Sequence, residues 1–333
     1  MIMKEMKGLV LILIFIFTLT MFSTALGAEK VTWKLAGVHA VTTPETKGLN
    51  YFADLVKKKS GGNFVIYVYP AGQLGKDAVT LVENLMMGSI ELFGNVMDWN
   101  QHLVKDFAIL AMPFLFKNLE AVKDFQRGSI YQEMKERMIK ERGVRIIADN
   151  WYRLPKVLLA KKPIRSLNDL KDVKLRMPSL KTYFETWKAL GAKPTVIPWA
   201  EAFLALKKGV VDGMDAPLGS IYGMKFYQAA PYIMMTYHLV APFNILVNEN
   251  KYQQLPQGYK RILIEAGKEA GDYYSQLVKD MFKKDKEKML KAGVKFIEID
   301  TGPFIREAAK VAERFEAEGM WRKGLFKKIV ESQ

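Results

Sequence analysis

Residues 64–93 read FVIYVYPAGQLGKDAVTLVENLMMGSIELF. The aromatic and β-branched run from Phe64 to Tyr69 predicts a strand. Pro70-Ala71-Gly72 predicts a turn. Val79, Val82 and Met86 then recur at helical spacing until Gly88, and Ile90 to Phe93 is a second short, mostly apolar strand. Strand, helix and strand in that order point to an α/β fold with mostly parallel sheets.

The alternation continues in both directions. Upstream, Val31 to Ala36 is strand-like, the loop GVHAVTTPETKG follows at 37–48, and Leu49, Phe52, Ala53 and Val56 mark a helix that Gly61-Gly62 stops. Downstream, 120–142 predicts one helix ended by Gly143, and 144–148 and 174–177 predict strands. Tyr183, Trp187 and Leu190 line a helix closed by Gly191. Pro198 opens another, which Gly209 ends before Val210-Val211 begins a strand. Tyr259, Ile262, Ala266, Ala270, Tyr273, Leu277 and Met281 then hold a 3.6-residue period to about Ala292. At 1.5 Å per residue such a helix is roughly 50 Å long, enough to lie across two lobes. A strand at 294–299 precedes a last helix, capped by Thr301 with Pro303 in its first turn.

With 333 residues, half of them apolar and 26% charged, the chain fits two globular domains. No Ser/Gly-rich linker or internal repeat divides it. The expectation is therefore a two-lobed α/β fold whose lobes are joined by strands that cross more than once and act as a hinge. Lobe I is expected to comprise residues 28–150 plus about 240–275, and lobe II residues 151–239 plus about 276–333.

Lys4 and Lys7 precede an apolar run from Leu9 to Phe22, and STALGA follows at 23–28. This is the pattern of a cleaved signal peptide over 1–27 and predicts export to the periplasm. The apolar run falls short of the roughly 20 residues a membrane span needs. No Cys is present, so core size must replace disulfides. The formal charge of +15 falls to +14 once Lys4, Lys7 and Glu5 are removed. A basic surface favours anionic partners, but export argues against nucleic acid. Much of the charge is spread along helices, as at 279–291, like a solvated face.

Catalytic signatures are missing. The three His stand at 39, 102 and 238, without HExxH, EF-hand or Cys/His metal spacing. Gly219-Ser220-Ile221-Tyr222-Gly223 has the wrong order for a nucleophile elbow. Gly72-Gln73-Leu74-Gly75-Lys76-Asp77 lacks the gap and the Ser/Thr of a phosphate loop. The reading is a binding protein rather than an enzyme, with no cofactor and no metal.

Four segments carry a resemblance: PAGQLGK at 70–76, MPFLF at 112–116, DLKDVKLRMP at 169–178 and IPWAEAFLALKKGVVDG at 197–213. In this order the chain resembles the periplasmic solute-binding subunit of tripartite ATP-independent periplasmic (TRAP) transporters, from about Val31 to Ile299. The resemblance implies two lobes that close on a small organic carboxylate and hand it to membrane subunits driven by an ion gradient. It also implies that Arg176, in Lys174-Leu175-Arg176-Met177-Pro178, grips the carboxylate. Position supports the same role: Arg176 ends a short strand before a Pro, and ligands of open α/β sheets bind at the carboxyl ends of strands. A guanidinium matches a carboxylate with two parallel hydrogen bonds. The alternative is a surface pair with Asp169 or Asp172.

Other wall candidates follow. Trp151 and Arg153 lie beyond the 144–148 strand, Arg153 as second anion contact or structural salt bridge. Tyr152 stands where relatives often have Gly. Trp199, after Pro198, either stacks on ligand or plugs the core. Asp215 could hold a hydroxyl or a cation. Ala216 stands where several relatives have Asn or Trp, which argues against sialic acid-like ligands and metal-bridged keto acids. Asn95, Asp98 and Trp99 follow a strand, His39 lies in the first loop, and His238 is expected to support the hinge. A monomer is the default. Two rival readings remain: a ligand sensor docking on a membrane receptor, and an exported α/β enzyme.

Overall fold

The computed structural model describes residues 30–333; the expected signal peptide lies outside them. Eleven strands form two sheets among the described residues. They are β1 Val31–Ala36, β2 Phe64–Tyr69, β3 Leu92–Val96, β4 Val144–Trp151, β5 Lys156–Ala160, β6 Lys174–Met177, β7 Lys193–Val196, β8 Gly213–Pro217, β9 Tyr232–Leu239, β10 Phe243–Asn248 and β11 Lys295–Ile297. The first sheet has the order β2-β1-β3-β10-β4 and the second β11-β9-β5-β8-β6-β7.

Within each sheet the expected parallel pairs are present: β1 with β2 and β3, and β6 with β7 and β8. The strands next to the crossings run against them. β10 is antiparallel to β3 and β4, and β5 is antiparallel to β8 and β9. The chain passes between sheets from β4 to β5 and returns from β9 to β10, so each sheet receives one strand of each crossing. Both pairings near the crossings shift register, β10–β4 between Phe243 and Leu246 and β5–β9 between Lys156 and Leu158. Phe114 of the MPFLF segment takes φ 65° and donates its backbone N–H to the His238 carbonyl at the end of β9. That stitch ties a first-lobe loop to a crossing strand.

The long helix spans Gln257–Lys291, as its periodicity predicts. Its first half buries Leu263, Ala266, Ala270 and Tyr274 with Phe52 and Trp151 of the first lobe. Its second half sends Met289 and Phe282 into the core of the second, beside Leu159 and Leu206. Glycine is required where it meets β4. A Cβ on Gly267 would stand 2.9 Å from the Ala148 side chain, and one on Gly271 2.7 Å from Trp151. Four residues apart, the two glycines open one strip of the helix to the sheet.

Two expectations are corrected. Residues 120–142 form two helices, Leu119–Arg127 and Ser129–Arg142, because Gly128 is extended (φ −73°, ψ 157°) and Asn118 caps the first at Ala121. The tail beyond the long helix contacts both lobes. β11 joins the second sheet, but Val311, Phe315, Trp321, Leu325 and Ile329 pack with Phe107, Tyr131 and Met134 of the first lobe. The helix from Thr301 is not the last, since Leu325–Glu331 follows it on the same core.

Candidate functional site

A cavity of about 310 Å³ opens between the lobes. Its wall is made of strand ends. Val38-His39 follow β1, Ala71-Gly72 follow β2, Asn95 to Trp99 end and follow β3, Arg176 and Pro178 end and follow β6, and Ile197 to Trp199 follow β7. These are the carboxyl ends of parallel strands, where backbone turns away and leaves room for a ligand. Arg153 and Lys156 come from the first crossing, so the site lies at the hinge.

Arg176 is 4% exposed and lines this cavity. Its Nε donates to the Ile197 carbonyl at 2.7 Å, which fixes the fork, and its guanidinium lies 5.5 Å over the Trp199 ring. The surface pair with Asp169 or Asp172 does not form: Asp169 caps Arg165-Ser166, and Asp172 pairs with Lys193. No described carboxylate makes an ion pair with Arg176. Burial pulls its pKa down to about 10, only partly opposed by the charge of Asp215. A buried guanidinium without a counter-ion is costly, and an anion entering beside it removes the cost.

Arg153 is equally buried, but it is paired. Its Nη2 donates to Glu45 Oε1 at 2.9 Å, and the same oxygen accepts from Ser220 Oγ at 3.1 Å and the Tyr274 hydroxyl at 3.4 Å. Burial would lower the Arg153 pKa, yet the Glu45 charge leaves it raised. Burial would raise that of Glu45, but the charges of His39 and Arg153 hold it at about 2. Glu45 stands in the Pro44–Lys59 helix of the first lobe and Ser220 in the second, so this cluster spans the lobes.

A second buried chain crosses the cavity floor. Tyr183 OH donates to Asp98 Oδ2 at 2.8 Å and accepts from Lys156 Nζ. Lys156 also reaches Asp215 Oδ2 at 3.1 Å, and His238 Nε2 lies 3.5 Å from that oxygen. Burial raises the Asp98 pKa against the pull of Lys156. Asp215 is held low despite burial, by Lys156 and His238. His238 is lowered by burial against Asp215, and it sits on β9 at the crossing, where hinge support was expected.

The structure brings His39, Asn95, Asp98, Trp99, Arg153, Arg176 and Trp199 to one cavity. It places two candidates elsewhere. Trp151 is packed between Phe243 and Tyr274 and donates Nε1 to the Gly267 carbonyl, because β4 turns that face to the long helix. Asp215 is fully buried, reaches the cavity only through Lys156, and has no cluster of metal-ligating groups around it among the described residues. Sequence reasoning missed Lys156, Glu45 and Tyr183. Only the polar residues opening β5 and the Pro44 helix hinted at the first two.

The fold and the site define a class: a hinged, two-lobed protein with an anion-receptive cleft. Residues 35–318 match the family described as bacterial extracellular solute-binding protein, family 7. The chain belongs to that family, the one containing TRAP periplasmic solute-binding proteins. It is 28% identical over 265 residues (78% of this chain, 81% of the other) to the sialic acid-binding periplasmic protein SiaP of Vibrio cholerae. It is also 28% identical over 269 residues (80% and 79%) to the C4-dicarboxylate-binding periplasmic protein DctP of Rhodobacter capsulatus. A solved TRAP periplasmic solute-binding protein of Ochrobacterium anthropi, with bound L-fuconate, is 30% identical. It superposes with a TM-score of 0.84 over 91% of this chain and 99% of that one. Family members are binding proteins that capture small organic acids for TRAP transporters.

Proposed function

We propose that this chain is exported by its amino-terminal signal, works as a monomer in the periplasm, and uses Arg176 to seize the carboxylate of a small organic acid. The membrane subunits of an ion-gradient-driven TRAP transporter then receive that acid. No chemistry is performed on it and no cofactor takes part. Relatives named for sialic acid and C4-dicarboxylates, and a neighbour holding L-fuconate, differ in the body of the ligand but share a carboxylate. The observation that carries the reading is a buried guanidinium, on the cleft wall, with no acid of its own. Trp199 flanks it as an apolar and cation-stacking surface, and closure follows because the acid binds the closed lobes better than the open ones.

The test is calorimetry on wild type and Arg176→Ala after a thermal-shift screen of carboxylic acids, since a native-state ligand raises the melting temperature. The variant is expected to lose about 2–5 kcal/mol of binding free energy. Equal affinities in the two proteins would take Arg176 out of the site.

A further inference from the structure

We propose that the acid selected by this cleft is a monocarboxylate with a compact apolar body, an aromatic ring or a branched alkyl chain. This rests on the carboxylate-receptor reading above.

The side chains that present surface to the cavity decide it. On the first-lobe wall these are Val38 after β1, Val79 in the helix Ala78–Met86, and Trp99 after β3. On the second-lobe wall they are Val196 at the end of β7, with Ile197 and Trp199 after it. None of the six is fully buried, and Val196 is 49% exposed. The two rings are held from behind. Trp99 stacks on His102 at 5.4 Å, and Trp199 meets Phe226 edge-on at 5.0 Å. Both lobes therefore turn apolar surface to one cavity, and an apolar body that replaces water there gains the hydrophobic free energy of both walls.

The polar groups of the same walls are engaged elsewhere. Asn95 Nδ2 donates to Asn100 Oδ1 at 3.1 Å, and Asp98 Oδ2 accepts from Tyr183 at 2.8 Å. Arg153 is matched by Glu45 and Lys156 by Asp215. His39 Nδ1, Asp98 Oδ1 and Trp199 Nε1 lack partners, but they are enclosed by protein and do not face the cavity. Asp77 caps its helix by accepting from the Thr80 N–H at 2.9 Å, and Lys76 and Ser179 are exposed. Arg176 is left as the group that takes the charged end of a ligand. Hydroxyls along the rest of it would give up water for valine, isoleucine and tryptophan surface, and a second carboxylate would lose still more. The cavity of about 310 Å³ lies at the lower end of the roughly 300–1,000 Å³ of small-molecule sites, so the body is compact.

Titration calorimetry on the purified chain tests this with phenylacetate, hydrocinnamate and isocaproate against gluconate, glucuronate and succinate. Phenylethanol is the uncharged control. At least one apolar acid is expected to bind about tenfold or more tighter than any hydroxylated or dicarboxylic acid, with the negative heat-capacity change of apolar burial. Val196→Ser combined with Val79→Ser leaves Arg176 in place and should weaken that acid about tenfold. Val196→Ile keeps the wall apolar and should hold affinity within about threefold. If gluconate, glucuronate or succinate binds tightest and still depends on Arg176, the apolar-body inference is overturned and the receptor reading survives. An apolar acid that binds tightest but ignores both serine substitutions overturns the inference too, because these walls then do not select it. If phenylethanol binds as tightly as phenylacetate and Arg176→Ala changes neither, the receptor reading falls and takes the inference with it, as it does if no acid binds.

Discussion

Arg153 and Arg176 line the same cavity and are about equally dry, yet they are in opposite electrostatic states. Arg153 has a carboxylate at 2.9 Å that Ser220 and Tyr274 also hold, so its charge is spent on joining the lobes. Arg176 has one backbone carbonyl and an aromatic face. The difference separates a strut from a receptor. A buried ion pair resists being broken, whereas a buried lone charge invites an anion. Burial alone would have ranked the two arginines alike.

The largest expected effect breaks the strut. Glu45→Gln should cost about 3–5 kcal/mol of stability, because Arg153 is then buried without a counter-charge. Arg176→Ala should cost the ligand-free protein less than about 1 kcal/mol, since losing one hydrogen bond and some packing is offset by removing an isolated charge. Denaturant unfolding of both variants measures this, and equal costs would erase the distinction drawn between the two arginines.

Acid should weaken the strut next. Burial lowers His39 from 6.5 to about 4, so on acidification the unfolded chain takes up this proton first. The contribution of His39 is complete above pH 6.5 and is lost as pH falls towards 4, amounting to up to about 3 kcal/mol. Glu45, held at about 2 against an ordinary 4.5, loses its share only as pH falls from 4.5 towards 2. Melting temperature followed from pH 7 to pH 4 should therefore decline. The decline should flatten in His39→Asn, and an unchanged slope there would point to another group.

The smallest effect sharpens the receptor side. Trp199→Leu removes the ring over Arg176 and should weaken acid binding by about 0.5–2 kcal/mol. Trp199 also lies 5.0 Å from Phe226, so a stability loss larger than the binding loss would make it a core plug instead.

Much of this was legible in order along the chain. The strand and turn at FVIYVYPAG, the 35-residue helix and the Arg before Pro178 all rest on local periodicity and punctuation. Trp151 and Asp215 were not legible. β8 is buried along its whole length, so no alternation shows which side faces a ligand, and Trp151 is turned to the core by the long helix. Glu45 was silent for another reason: its partners Arg153, Ser220 and Tyr274 lie 108, 175 and 229 residues away.

The sequence by itself determined the elements, the α/β class and the strand end at which Arg176 waits, because these follow from the spacing of apolar residues and from Gly and Pro over a few residues. Only the tertiary structure decided which charges are matched and which are free. Electrostatic pairing depends on distance in space, and the partners here meet only after two crossings and a long helix have brought the lobes together.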